Sequence, residues 1–138
     1  MSQKKIELPD QWRVLRAAAR NVRKLAYSPY SKYRVGAALV TVDGTIFTGC
    51  NVENASYGGT ICAERSAVCS AVSAGQQEFV AICVSLAGTP VPCGICRQFL
   101  YEFNPDMMVL LDDVDTDTPP ECVKLSDLLP RAFRFSDD

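Results

Sequence analysis

Two short stretches decide how this chain is read: Gly58-Gly59-Thr60-Ile61-Cys62-Ala63-Glu64-Arg65 and, further on, Pro92-Cys93-Gly94-Ile95-Cys96. Cys62 opens an apolar-periodic run (Ala63, Ala67, Val68, Ala71, Val72) that stops at Gly75, which predicts a helix with Cys62 in its first turn. Pro92 and Cys93 lead into a second helical face of Ile95, Phe99, Leu100 and Phe103. Cys62, Cys93 and Cys96 can give three thiolates to one zinc ion and leave the fourth tetrahedral position to water, with Glu64 two residues from a ligand. Three thiolates leave zinc with a formal charge of about −1. Helix N-termini at the sulfurs, and an Arg65 hydrogen bond to one of them, draw part of that charge away.

Outward from these helices, strands and helices alternate. Phe79–Leu86 and Met107–Leu111 are continuous apolar runs of strand length, each following one of the cysteine helices, so they are expected to lie parallel. Upstream, Val35–Val42 reads as a buried strand that turns at Asp43-Gly44 into Thr45–Gly49, a hairpin. Before it, Trp12, Leu15, Ala19, Val22 and Ala26 mark a helix capped by Asp10 and ended by Tyr27-Ser28-Pro29-Tyr30-Ser31. Glu121–Leu125 reads as a short edge strand, and Ser126-Asp127-Leu128-Leu129 as a turn of helix capped by Ser126 and stopped by Pro130. The sum is a mixed sheet with an antiparallel first pair and helices on its faces.

With 138 residues, 48% hydrophobic and 22% charged, residues 1–138 are expected to form a single domain. The first residues show no secretory pattern, and no stretch approaches the roughly 20 apolar residues of a membrane span, so a soluble cytoplasmic protein is expected. Seven cysteines, an odd number, then fit reduced thiols and metal binding better than disulfides. Cys50, Cys69, Cys83 and Cys122 are expected to be small buried apolar residues. A net charge of −2 and a pI near 5.1 give no footprint for a phosphate backbone, so no nucleic-acid partner is expected. Histidine is absent, and acid–base work falls to a carboxylate.

Cys-x-Glu followed by Pro-Cys-x-x-Cys resembles the zinc nucleoside and nucleobase deaminases. The stretch Gly49-Cys50-Asn51-Val52-Glu53-Asn54-Ala55-Ser56-Tyr57-Gly58, together with Cys62-Ala63-Glu64-Arg65, narrows the likeness to the small cytidine deaminases that act on free nucleosides, from about Tyr27 to Phe133. That resemblance implies a three-layer α/β/α sandwich with a mixed five-stranded sheet, and hydrolytic deamination of cytidine and 2′-deoxycytidine in pyrimidine salvage. It implies zinc on Cys62, Cys93 and Cys96, with Glu64 moving protons from water to N3 of cytosine and on to the departing ammonia. It further implies that Asn51 and Glu53 bind ribose hydroxyls and that the Ala63 backbone N–H meets the pyrimidine O2. Tyr33 stands where the family commonly has a phenylalanine facing the base. Phe133 matches an aromatic that reaches into a neighbouring subunit's site, within a homotetramer.

Blander readings stand beside these. Cys93-x-x-Cys96 alone suits a redox pair or half of a structural zinc site, and Cys69 is a candidate fourth ligand for a closed, non-catalytic zinc module. Glu64 suits a carboxylate favoured by a helix N-terminus, and Asn51 and Glu53 suit turn chemistry. Phe133 suits packing on its own domain. Asp112, Asp113, Asp115 and Asp117 form an acidic loop; a calcium loop is disfavoured because Thr118 stands where glycine is needed and Lys124 where glutamate is needed. The nearest enzyme alternative, a deaminase acting on an antibiotic such as blasticidin S, has no use for an Asn51-Val52-Glu53 ribose motif.

Overall fold

The computed structural model describes residues 6–135; the first residues, read above for a leader pattern, lie outside this range. The elements run α1 (Trp12–Arg23), β1 (Gly36–Thr41), β2 (Ile46–Cys50), a 3-10 turn (Tyr57–Gly59), α2 (Ala63–Ser73), β3 (Phe79–Leu86), α3 (Gly94–Tyr101), β4 (Met108–Asp113), β5 (Glu121–Lys124) and α4 (Leu125–Leu128). The sheet order is β2-β1-β3-β4-β5. β1 pairs antiparallel with β2 and β3, β3 and β4 are parallel, and β5 returns antiparallel at the edge. The hairpin, the parallel pair joined by α3 and the edge strand all match the sequence reading. The β3-to-β4 crossover is parallel because a helix must be stored between the two strands.

Alternation along the strands divides the core into two layers. Ala37, Leu39 and Ile82 point one way and pack with Ala67, Val68 and Ala71 of α2 and Leu100 of α3. Ala38, Val40, Ala81 and Cys83 point the other way, against Leu15 and Ala19 of α1. Every residue of β1 is buried, as a strand covered on both faces requires. The result is the expected three-layer α/β/α sandwich. β2 lies close enough to α2 that a Cβ on Gly49 would stand 2.4 Å from the Ala67 nitrogen and 2.6 Å from the Ala63 carbonyl oxygen. That contact presses the N-terminus of α2 onto the sheet.

Several sequence expectations are corrected. Asp10 makes no cap: α1 starts after Gln11, and its first N–H, on Trp12, bonds the Pro9 carbonyl at 3.0 Å. Ser126 likewise caps nothing, because α4 already begins at Leu125, whose N–H bonds the Met107 carbonyl at 2.9 Å. On α3 Cys96 and Leu100 are fully buried and Phe99 and Phe103 pack partly buried against the same core, so of the expected face only Ile95 turns outward, 64% exposed, as Cys96 turns toward Cys62. Cys83 and Cys122 are buried as expected, but Cys50 is only half-buried and Cys69 is exposed, because α2 buries the adjacent Ala67, Val68 and Ala71 instead.

Asp112 is not part of a solvated loop. It lies in β4, fully buried, where Arg20 of α1 grips both carboxylate oxygens at 2.8 Å and Ser85 Oγ donates to it at 2.6 Å. Arg20 and Arg16 go on to donate to the carbonyls of Thr116 and Thr118. The acidic turn is therefore laced to α1 by arginines.

Candidate active site

Cys62 and Cys93 are the N-cap residues of α2 and α3, so both helix N-termini converge where the sequence reading expected them. Cys96, one turn into α3, faces the same point. The three sulfurs lie within 4.8 Å of one another, with Cys62 and Cys93 at 4.0 Å. A tetrahedral zinc with bonds of about 2.3 Å holds its sulfurs about 3.8 Å apart, so the triangle fits the ion with small adjustments. No fourth histidine, cysteine, aspartate or glutamate joins this group among the described residues. Cys69, on the outer face of α2, is not one.

Charge is graded across the sulfurs. The Cys62 thiol is pulled down to about 5, chiefly by the Cys96 S–H that donates to it and then by Arg65 against its burial, while Cys96, as that donor and buried beside Glu64, is pushed well up. Arg65 Nη2 donates to Cys62 Sγ at 3.2 Å and to the Thr60 carbonyl at 3.5 Å. Its Nε is buried with no hydrogen-bond partner. A buried guanidinium nitrogen left over beside the sulfurs is what a more negative, fully deprotonated cluster would use, a second sign that the donor set suits a cation.

Glu64 follows directly. It is 4% exposed, one of the few buried acids, and desolvation raises its carboxyl to about 7, with Cys62 adding to the rise and its own backbone N–H opposing it. It lines a cavity of about 280 Å³ together with Cys62, Ala63 and Cys93. Ala63 is the first residue of α2, so its N–H has no intrahelical acceptor and is free for a ligand in that cavity.

The opposite wall comes from the segment after β2. Val52 is bridged on one side to Tyr27 and on the other to Ile61, which lies beside Cys62. This short ladder sets Asn51 and Glu53 across from the cysteines, lining the same cavity. Asn51 is buried and locks the strand entry: Oδ1 accepts from the Val35 N–H at 2.9 Å and Nδ2 donates to the Tyr33 carbonyl at 2.8 Å. Each atom retains one further bonding site. Glu53 accepts from the N–H groups of Tyr30 and Ser31 at 2.9 and 3.1 Å and from the Ser31 hydroxyl, which together hold its carboxyl below the ordinary glutamate range. Tyr33 also lines the cavity. Phe133 does not: it is 70% exposed, and its carbonyl accepts from Gln98 Nε2 at 3.0 Å.

Sequence reasoning missed Ser31, Leu86 and Val91, which line the cavity without belonging to any motif. Only Ser31, two residues ahead of Tyr33, carried a signal, as a small hydroxyl in the turn that Glu53 caps.

The cytidine and deoxycytidylate deaminase zinc-binding region matches residues 10–112. A cytidine deaminase of Sporosarcina psychrophila is 46% identical over 124 residues, covering 88% of this chain and 90% of its own length. One from Mycobacterium tuberculosis is 43% identical over 133 residues, 94% of this chain and 96% of its own. The crystal structure of cytidine deaminase from Burkholderia pseudomallei superimposes with a TM-score of 0.83 at 48% identity, covering 88% of this chain and 98% of that one. Motif order, sheet topology and the cysteine triangle all agree with these likenesses, and the chain belongs to the zinc-binding cytidine deaminase family.

Proposed function

We propose that this protein deaminates cytidine and 2′-deoxycytidine to uridine and 2′-deoxyuridine with release of ammonia, as a cytoplasmic homotetramer in pyrimidine salvage. The observation that carries the reading is a buried carboxyl, Glu64, in a nucleoside-sized cavity beside three convergent cysteines with no fourth protein ligand. Cys62, Cys93 and Cys96 would hold the zinc, which when bound would supply Lewis-acid activation of the attacking water. Arg65 and the two helix N-termini withdraw charge from the sulfurs, preserving that acidity.

Glu64 shuttles the protons. It takes one from the water, gives it to N3 of cytosine as oxygen bonds to C4, and carries the second, from the hydroxyl now on C4, to the amino group as the C4–N4 bond breaks and the C4 carbonyl forms. A carboxyl near 7 is matched to accepting and donating in one cycle at neutral pH. The Ala63 N–H meets the pyrimidine O2, and Asn51 and Glu53 meet the ribose hydroxyls with the bonding capacity their scaffold contacts leave free. An analogue without the sugar leaves these groups unpaired, so free cytosine is a poor substrate.

Two surface features support the assembly. Phe133 is exposed and outside its own cavity, and Ile95, Phe99 and Phe103 line an apolar groove of about 660 Å³ on the outer side of α3. Both suit burial against further copies of the chain.

The test is zinc content together with the ultraviolet change on adding cytidine, 2′-deoxycytidine, cytosine, CMP and blasticidin S in turn. Turnover of the two nucleosides alone supports the reading; one zinc per chain with no reaction on any of the five rejects it.

A further inference from the structure

Tyr33 lines the cavity and carries a hydroxyl that neither the metal motif nor the sugar motif employs. Tyr33 follows Lys32, a non-glycine residue at φ +62°, in the loop that enters β1. Such a conformation persists where surrounding contacts fix it. Every polar group of Tyr33 is engaged: its N–H donates to Ser31 Oγ at 3.0 Å, its carbonyl accepts from Asn51 at 2.8 Å, and its hydroxyl donates to the Ala87 carbonyl at 2.8 Å. Ser31 Oγ in turn donates to Glu53.

Ala87 directly follows β3 and opens the connection that carries Val91 and Cys93 into the cavity. Among the described residues, the Tyr33 hydroxyl makes the hydrogen bond that joins the loop of residues 28–35 to the connection of residues 87–93. Beyond the β1–β3 ladder, whose last pair is Gly36 with Ser85, this bond couples the wall bearing Glu53 and Asn51 to the wall bearing Cys93. The ring itself is 45% exposed, so packing alone does not fix it.

We propose that the Tyr33 hydroxyl is a positioning group, a strut that holds the two walls at nucleoside width before substrate enters. The inference rests on the nucleoside reading above. A group that sets the width of the cavity without touching the reacting atoms acts on ground state and transition state alike, so its loss shows in KM and not in kcat.

The experiment compares zinc-loaded wild type with Tyr33→Phe, which removes the hydroxyl and keeps the ring. With one hydrogen bond lost, kcat/KM falls about fivefold through KM, by the same factor on cytidine and 2′-deoxycytidine, with zinc content unchanged. The backbone amides of Gly88, Thr89 and Val91 exchange faster with solvent. Unchanged KM overturns the strut even if exchange rises. A loss confined to cytidine overturns it by showing that the hydroxyl meets the 2′-OH directly, and a fall in kcat with loss of zinc overturns it by assigning the bond to the metal site. If wild type turns over neither nucleoside, the deaminase reading fails by itself, and the strut is judged by exchange, where equal rates in the two proteins overturn it.

Discussion

At the scale of single residues, Glu64 carries a cost that the proton-shuttling role proposed for it explains. Its carboxyl, raised to about 7 by burial, is easier to ionise in the unfolded chain, so folding binds a proton between the ordinary glutamate range and pH 7. Stability is therefore fully present at low pH and is lost as pH rises through that window. In chelator-treated protein, Glu64→Gln is expected to be more stable than wild type at pH 8, by about 2–3 kcal/mol, with the gap closing below pH 4.5, as followed by urea denaturation. The same variant should keep zinc when loaded and lose turnover by a factor of about 10³ or more.

The sulfurs make a second prediction with the opposite sense. Cys62 is already a thiolate near neutrality while Cys96 is held protonated, so metal uptake must expel the Cys96 proton. Zinc affinity should rise from pH 6 to pH 8 in competition with a chelator, with proton release visible in weakly buffered solution; a flat profile would show that Cys96 is not a ligand.

At the scale of elements, the metal site depends on how closely helices seat on the sheet. Gly49 lets α2 approach β2, and a methyl there meets backbone atoms of Ala67 and Ala63 well inside contact distance, with no flexible side chain to yield. Gly49→Ala is expected to cost about 2–3 kcal/mol and to weaken zinc binding as well, because relief comes by lifting the end of α2 that carries Cys62. The Arg20–Asp112 pair works at the other face. Asp112 is fully buried whereas Arg20 is partly exposed, so removing the arginine strands a buried carboxylate that keeps only Ser85. Arg20→Ala should cost about 3–5 kcal/mol in chemical denaturation, and replacing both partners by Met and Leu should recover most of it.

At the scale of the whole molecule, no helix among the described residues is long and apolar enough to cross a membrane, and exposed apolar side chains include Ile95 on α3 and Phe133 and Phe135 in the C-terminal segment as well as Tyr27, Tyr30, Val52, Tyr57 and Ile61. Phe133→Ala is expected to raise KM with zinc content constant if a partner's cavity receives this ring. Sedimentation should give a mass near four chains for wild type. A monomer of full activity would remove the role assigned to Phe133.

The cysteine cluster and the buried carboxyl beside it were legible in the sequence because they are local: Cys62 and Glu64 share one helical turn, and so do Cys93 and Cys96, and a helix start after Gly or Pro fixes where such side chains point. The sheet was legible for a similar reason, since apolar runs, one Asp-Gly turn and two intervening helices leave few ways to pair the strands. What depended on contacts between distant parts of the chain was not. Asp112 looked like the start of an acidic turn because the partner that buries it, Arg20, lies in another layer, and Cys69 looked like its buried neighbours because helical phase alone separates it from Val68. The outward turn of Ile95 on α3, the bridge that sets Asn51 and Glu53 opposite the cysteines, and the Tyr33–Ala87 bond were likewise decided only in the folded chain. Local spacing determines which chemistry the chain carries; tertiary packing decides which groups face one another, because that is set by the seating of layers and not by distance along the sequence.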